Sequence, residues 1–246
     1  MLIPQTEPQG TAAGLYVHDH HRLELRLMGA FQLTLNGQPV APEKQLRKAD
    51  ALLAFLALNP NVHHQRTLLV DRFCANIRDS AADFRGVLNR VRNILGKNQS
   101  AESFFTLTNV HSDGALIFES TPQLWVDVVA FQQHDLHPTL PQLMELAQLY
   151  RGPFMAGYED LDCSDWIEAM RATLELQFDT VMKALLDSLY EQMRWKDMLS
   201  WGEYWISHNP TTSDAYVVLM EAHSELGNLP KLDETYILLQ IGRAHV

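Results

Sequence analysis

The chain is predicted to fold as an α+β winged helix-turn-helix domain followed by an all-α, tetratricopeptide-like helical domain. Three observations lead there. Residues 22–120 read as a small sheet, three helices and a β-hairpin, in that order. From Leu124 the pattern turns almost continuously helical, and within that stretch two segments superpose at an offset of 34 residues. The expected organisation is a disordered leader at 1–21, the winged domain at 22–120, the helical domain at 121–240 and a non-native tail at 241–246.

The first sheet follows from alternation. Leu23, Leu25 and Leu27, then Phe31, Leu33 and Leu35, put an apolar side chain at every second position on either side of Gly29, the period of a strand with one buried face. Asn36-Gly37 readily takes the positive φ angles of a two-residue turn, so a short third strand follows at 38–40. Pro42 opens a helix reaching about Leu58, with Leu46, Ala49, Leu53 and Leu56 inward. Asn59-Pro60 closes it, because the residue before a proline is pushed out of the helical region. A second helix runs from Gln65 to Phe73 or Cys74 and buries Leu68, Leu69 and Phe73. After the third helix, β-prone residues at 104–108 and 115–118 flank Ser112-Asp113-Gly114 and form a hairpin. This order makes the second and third helices a helix-turn-helix and the hairpin its wing.

The third helix, within residues 78–97, carries the functional signal. Ser80 with Asp83 has the spacing of a capping box, which starts the helix near Ala81. Phe84, Val87, Leu88, Val91 and Leu95 recur at threes and fours and form one apolar stripe, and Gly96 supplies a stop. On the opposite surface lie Arg85, Asn89 and Arg92, flanked by Arg90 and Asn93. Arginine forks onto guanine or phosphate and asparagine pairs with adenine, so this face suits DNA. A solvated helix face would use the same residue types. Gly86, in mid-helix, costs about 1 kcal/mol against alanine unless a close approach requires it.

The net charge of −11 does not oppose this reading once it is divided. Residues 1–120 hold 12 Lys and Arg against 11 Asp and Glu, whereas 121–246 hold 7 against 19. Within 66–97, seven basic groups face three acidic ones, and screening over about 8–10 Å keeps a distant acidic domain from cancelling that local field.

In the second half a long helix spans 165 to about 193. Leu185-Leu186-Asp187-Ser188 lies over Leu219-Met220-Glu221-Ala222 at the offset of 34, and the breaks at Met193-Arg194 and Gly227-Asn228 coincide. That is the period of tetratricopeptide helix pairs. Met198, Trp205 and His223 stand where small residues are usual. The last six residues, IGRAHV, abandon the apolar pattern, as if a repeat had been cut short and a non-native tail added.

Taken together these features resemble the bacterial transcriptional activator family typified by the Streptomyces antibiotic regulatory proteins. The resemblance spans about Leu23 to Leu239. It rests on residues 52–96, on Trp125-Val126-Asp127-Val128-Val129-Ala130-Phe131, on Leu149-Tyr150-Arg151-Gly152-Pro153-Phe154, and on the D-W-x-E-x-x-R pattern at 165–171. It implies that the third helix enters the major groove of double-stranded promoter DNA at direct repeats. It further implies that protomers associate there and that the helical domain helps recruit RNA polymerase. Carried over, it nominates Arg85, Asn89, Arg90 and Arg92 for the groove and Arg78, Lys97 and Arg66 for phosphates. The wing turn, 109–114, carries His111 but no arginine, a departure that bears on minor-groove contact. Larger relatives of the family continue into a nucleotide-binding module.

Other chemistries fit less well. His18, His20, His21, His63 and His64 lack a cysteine cluster and metal-ligand spacing, so no metal is expected. Trp195, Trp201, Tyr204 and Trp205 are expected to pack rather than to cradle a ligand. Glu159, Asp160, Asp162 and Asp165 read as a solvated loop, with Asp162 or Ser164 capping the following helix. Cys74 and Cys163 suit free thiols in a reducing cytoplasm. No phosphate-cradling loop or nucleophile motif occurs and no apolar run is long enough to span a membrane, so neither catalysis, a cofactor nor a membrane partner is expected. The rival expectation is a protein-interaction scaffold whose winged domain no longer binds DNA.

Overall fold

The computed structural model describes residues 23–40, 47–96, 105–110 and 114–244. The expected leader at 1–21, the helix start at Pro42 with Leu46, Lys97 and the wing tip at 111–113 lie outside the described residues. Strands β1 (Leu23–Arg26), β2 (Gln32–Leu35) and β3 (Gln38–Val40) form the predicted antiparallel meander. Asn36 (φ 50°) and Gly37 (φ 77°) take the turn angles their residue types favour. A strand that the sequence did not announce, β7 (Leu124–Val126), joins the other side of β1 in parallel, giving the order β3-β2-β1-β7. Three residues leading directly into a helix carry too little alternation to be read as a strand.

Next come α1 (Arg47–Leu58), β4 (His63–Gln65), α2 (Arg66–Cys74), α3 (Ser80–Gly96), β5 (Phe105–Val110) and β6 (Ala115–Ser120). Strand β4, also unannounced, pairs with β6, so the wing hairpin belongs to a three-stranded antiparallel sheet ordered β4-β6-β5. Two burial expectations need correction. Every residue of α1 from Ala49 to Ala57 is buried, not one stripe, because α3 and β6 pack on α1 while Tyr158 and Trp166 of the second half also close on it. Leu68 is 63% exposed; α2 turns Leu69, Phe73 and Cys74 inward, and Leu68 sits beside that stripe.

The second half comprises α4 (Asp127–Gln132), α5 (Leu140–Leu149), α6 (Ser164–Glu191), α7 (Trp195–His208), α8 (Ser213–Glu225) and α9 (Leu229–Ala244). The repeat is visible in backbone hydrogen bonds. Arg194 N–H donates to Leu189 O at 2.9 Å and Asn228 N–H to His223 O at 2.8 Å, across Met193 (φ 55°) and Gly227 (φ 69°). The same left-handed helix ending recurs at the predicted offset. Gly202 permits α7 and α8 to touch: a Cβ there would lie 2.7 Å from Leu219. Trp205 is fully buried and donates its indole N–H to Asp179 at 2.6 Å. The Tyr204 hydroxyl donates to Tyr150 O at 2.8 Å, so these aromatics pack between helices. α9 continues to Ala244, across the point where the apolar pattern breaks.

Helix is not continuous after Leu124. Residues 150–163 return to the first sheet, where Met28 bridges Phe154 and Ala30 bridges Ala156. Gly29 (φ 100°) and Gly152 (φ 143°) meet there, and a Cβ on Gly152 would lie 3.6 Å from Gly29 Cα. Asp127, 1% exposed, accepts from Leu27 N–H at 2.8 and 2.9 Å, Met28 N–H at 3.0 Å and Val128 N–H at 2.8 Å. Burial pushes its pKa up, while those donors and Arg151, 3.6 Å away, pull in the opposite direction. Arg171 donates to Phe154 O at 2.8 Å and Met155 O at 2.9 Å, and also holds Glu159 at 2.7 Å. The sequence motifs at 125–131, 149–154 and 165–171 are therefore the residues that join the two halves.

The acidic loop differs from expectation too. Asp160 accepts from Arg47, whose guanidinium also reaches Gly157 O. Lys48 Nζ lies 3.3 Å from both Asp83 and Asp162, and Asn76 donates to Asp162 at 2.9 Å. Cys163 holds the cap position of α6 without a side-chain cap bond, and among the described residues no such bond from Asp162 or Ser164 replaces it. Asp160 and Asp162 are thus held by cations of the winged domain, and Glu159 by Arg171 of α6.

Candidate nucleic-acid interface

The interface builds from α3. Asp79, not Ser80, starts it: Asp79 Oδ1 accepts from Ala82 N–H at 2.9 Å, and its carbonyl from Asp83 N–H at 3.0 Å. Asp83 is freed from the expected capping box and turns to Lys48. Phe84, Val87, Leu88 and Val91 are buried and fix the rotation of the helix against α1 and α2. That rotation leaves Arg85, Gly86, Asn89, Arg90, Arg92 and Asn93 exposed. At about 100° per residue, Asn89, Asn93 and Gly86 lie nearest the middle of the outward face, with Arg85, Arg92 and Arg90 along its two margins. Amide groups central and guanidinium groups peripheral suit base edges within and phosphates beside a groove.

The remaining cations divide. Arg78 is exposed in the connection between α2 and α3. Arg66 is half-buried, with its guanidinium 5.5 Å over the Phe84 ring, beneath α3. Arg72 lies 5.0 Å over Phe55, on the side of α2 that meets the second half. The local positive balance read from residues 66–97 is thus partly drawn away from the outward face of α3. Strands β5 and β6 run antiparallel with Val110 opposite Ala115, the geometry of a wing. His64, in β4, packs edge-on to Phe55 at 5.2 Å with a ring nitrogen 3.4 Å from Asn59 O. Both cysteines are buried, and burial pushes the Cys74 thiol up to about 12 and Cys163 to about 11. Among the described residues no helix is long and apolar enough to cross a membrane.

Comparison with known proteins bears on this arrangement. Residues 126–230 match the family model of the bacterial transcriptional activator domain. The chain carries that domain. The recognition made from the motifs at 125–131, 149–154 and 165–171 is borne out, since the match begins within the first and contains the other two. The matched span thus includes β7's last residue, the buried Asp127 and the 150–163 segment that returns to the first sheet. In fold the chain is similar to EmbR of Mycobacterium tuberculosis, solved in complex with a low-affinity phosphopeptide, with a TM-score of 0.67 and 17% sequence identity. The likeness covers 91% of this chain, which spans 60% of the EmbR chain. It establishes the fold, a winged helix followed by the tetratricopeptide-like activator domain. No curated protein gives a significant match.

Proposed function

We propose that the protein is a sequence-specific DNA-binding transcriptional activator that reads promoter direct repeats through α3. The observation that carries this reading is the outward face of α3. Three arginines and two asparagines stand exposed opposite a fully buried stripe, beside a wing and ahead of an activator domain. In this reading Arg85, Asn89, Arg90, Arg92 and Asn93 meet the groove and Arg78 and Lys97 meet phosphates, whereas Arg66 lies over Phe84. The activator domain supports association of protomers on DNA and contact with RNA polymerase. The protein works in the cytoplasm by binding, with no catalytic step of its own.

Selection from random duplexes tests it. One enriched site is expected, bound with a salt dependence of about −0.9 in log–log slope per neutralised phosphate. Arg85→Ala and Arg92→Ala should each weaken it by about 1–3 kcal/mol where a base-edge pair is lost. A second reading, a protein-interaction scaffold, draws on the diversion of Arg66 and Arg72 onto aromatic rings. It predicts no enriched duplex and no effect of either substitution.

A further inference from the structure

We propose that Gly86 is a specificity-determining contact, the place where the backbone of α3 lies against the floor of the major groove at the methyl edge of a thymine. The inference rests on the DNA-binding reading of α3. Gly86 is within the helix, and its φ is not among the positive values that make glycine necessary. A Cβ added there would meet nothing within 4 Å among the described residues. Packing inside the chain therefore gives no reason for glycine, one of the poorest helix formers. Gly202 makes the contrast, because its missing Cβ is filled by Leu219 from the neighbouring helix.

The position of Gly86 supplies the external reason. It lies about 30° from the middle of the outward face, opposite the buried stripe. Asn89 and Arg90 stand one turn on, at i+3 and i+4, and Asn93 two turns on. Long polar side chains thus surround a notch at the level of the backbone. A duplex gripped by those side chains would meet bare Cα hydrogens there. Such a surface offers neither donor nor acceptor and suits the one apolar group on the major-groove floor, the thymine C5-methyl. A side chain at position 86 would hold the helix away from the floor and lengthen every neighbouring contact.

The test uses the full chain and the duplex it selects from random sequence. Melting temperature and affinity are measured for the wild type, Gly86→Ala and Arg92→Ala. Gly86→Ala should melt about 2–4 °C higher, because alanine favours the helix. It should nevertheless bind at least tenfold more weakly. Replacing each thymine of the site in turn by deoxyuridine should reveal one position where loss of the methyl weakens the wild type but not Gly86→Ala. If Gly86→Ala binds as the wild type does, or if no thymine shows that difference, while Arg92→Ala still loses affinity, the assignment of Gly86 is overturned and DNA binding by α3 stands. If no duplex is selected and Arg92→Ala changes nothing, the DNA-binding reading fails and takes this inference with it.

Discussion

At the residue scale, Asp50 sets a pH dependence. It sits on α1, 5% exposed, and accepts the Tyr158 hydroxyl at 2.8 Å. Burial pushes its pKa up to about 6, with Tyr158 and Arg47 pulling the other way. The folded chain therefore holds the proton more tightly than the unfolded chain, in which an aspartate titrates near pH 4. The stabilisation due to proton retention is fully present below that value and is lost as pH rises through about 6. A shift of about two units corresponds to about 3 kcal/mol. Asp50→Asn keeps an acceptor for Tyr158 but removes the titration. Urea unfolding at pH 4.5 and 7.5 should find the stability difference between variant and wild type moving in the variant's favour by about 2 kcal/mol, the rest having been lost below pH 4.5. Parallel pH profiles for the two proteins would contradict the assignment.

At the element scale, the junction of α1, α3 and the 158–163 loop turns on Lys48. Its ammonium bridges Asp83, in the first turn of α3, and Asp162, before α6. Desolvation lowers its pKa, but the two carboxylates outweigh that effect and the net shift is upward. Because the lysine is partly exposed, the bridge is worth far less than a buried pair. Lys48→Ala should cost about 1–2 kcal/mol in urea unfolding, mostly by leaving two carboxylates near each other, with the loss shrinking in high salt. Equal losses at low and high salt would point to packing instead. This junction also marks what the sequence could not disclose. The stripe of α3, the meander and the 34-residue repeat were legible because each is written in neighbouring residues. The partners of Asp160 and Asp162 were not, since Arg47 and Lys48 are more than a hundred residues away in the chain. Strand β7 and the all-round burial of α1 likewise depend on contacts made across the chain. Within the candidate site the exposed face followed from the stripe, but the diversion of Arg66 onto Phe84 and Arg72 onto Phe55 did not. The notch at Gly86 was legible as a cost and became meaningful once its surroundings were seen to be open.

At the scale of the whole molecule, the winged region and the activator domain share one core. Asp127 terminates the backbone donors of Leu27 and Met28, β7 extends the first sheet, and residues 153–156 bond to its loop. A fragment of residues 22–120 would leave those two N–H groups without their acceptor and uncover one side of β1. Such losses cost about 1–3 kcal/mol for each buried group left unpaired. The fragment should show weak, non-cooperative thermal unfolding, whereas a fragment ending after α6 should melt cooperatively. A sharp, cooperative melt of the shorter piece would refute that dependence. The same bond between Leu27 and Asp127, separated by 100 positions, also sets an order of events during synthesis. At about 5–20 residues per second, the ribosome takes roughly 5–20 s to deliver the acceptor after the donor has emerged. Through that interval β1 waits with an open edge, and the winged half reaches its final form only when the helical half has begun to arrive.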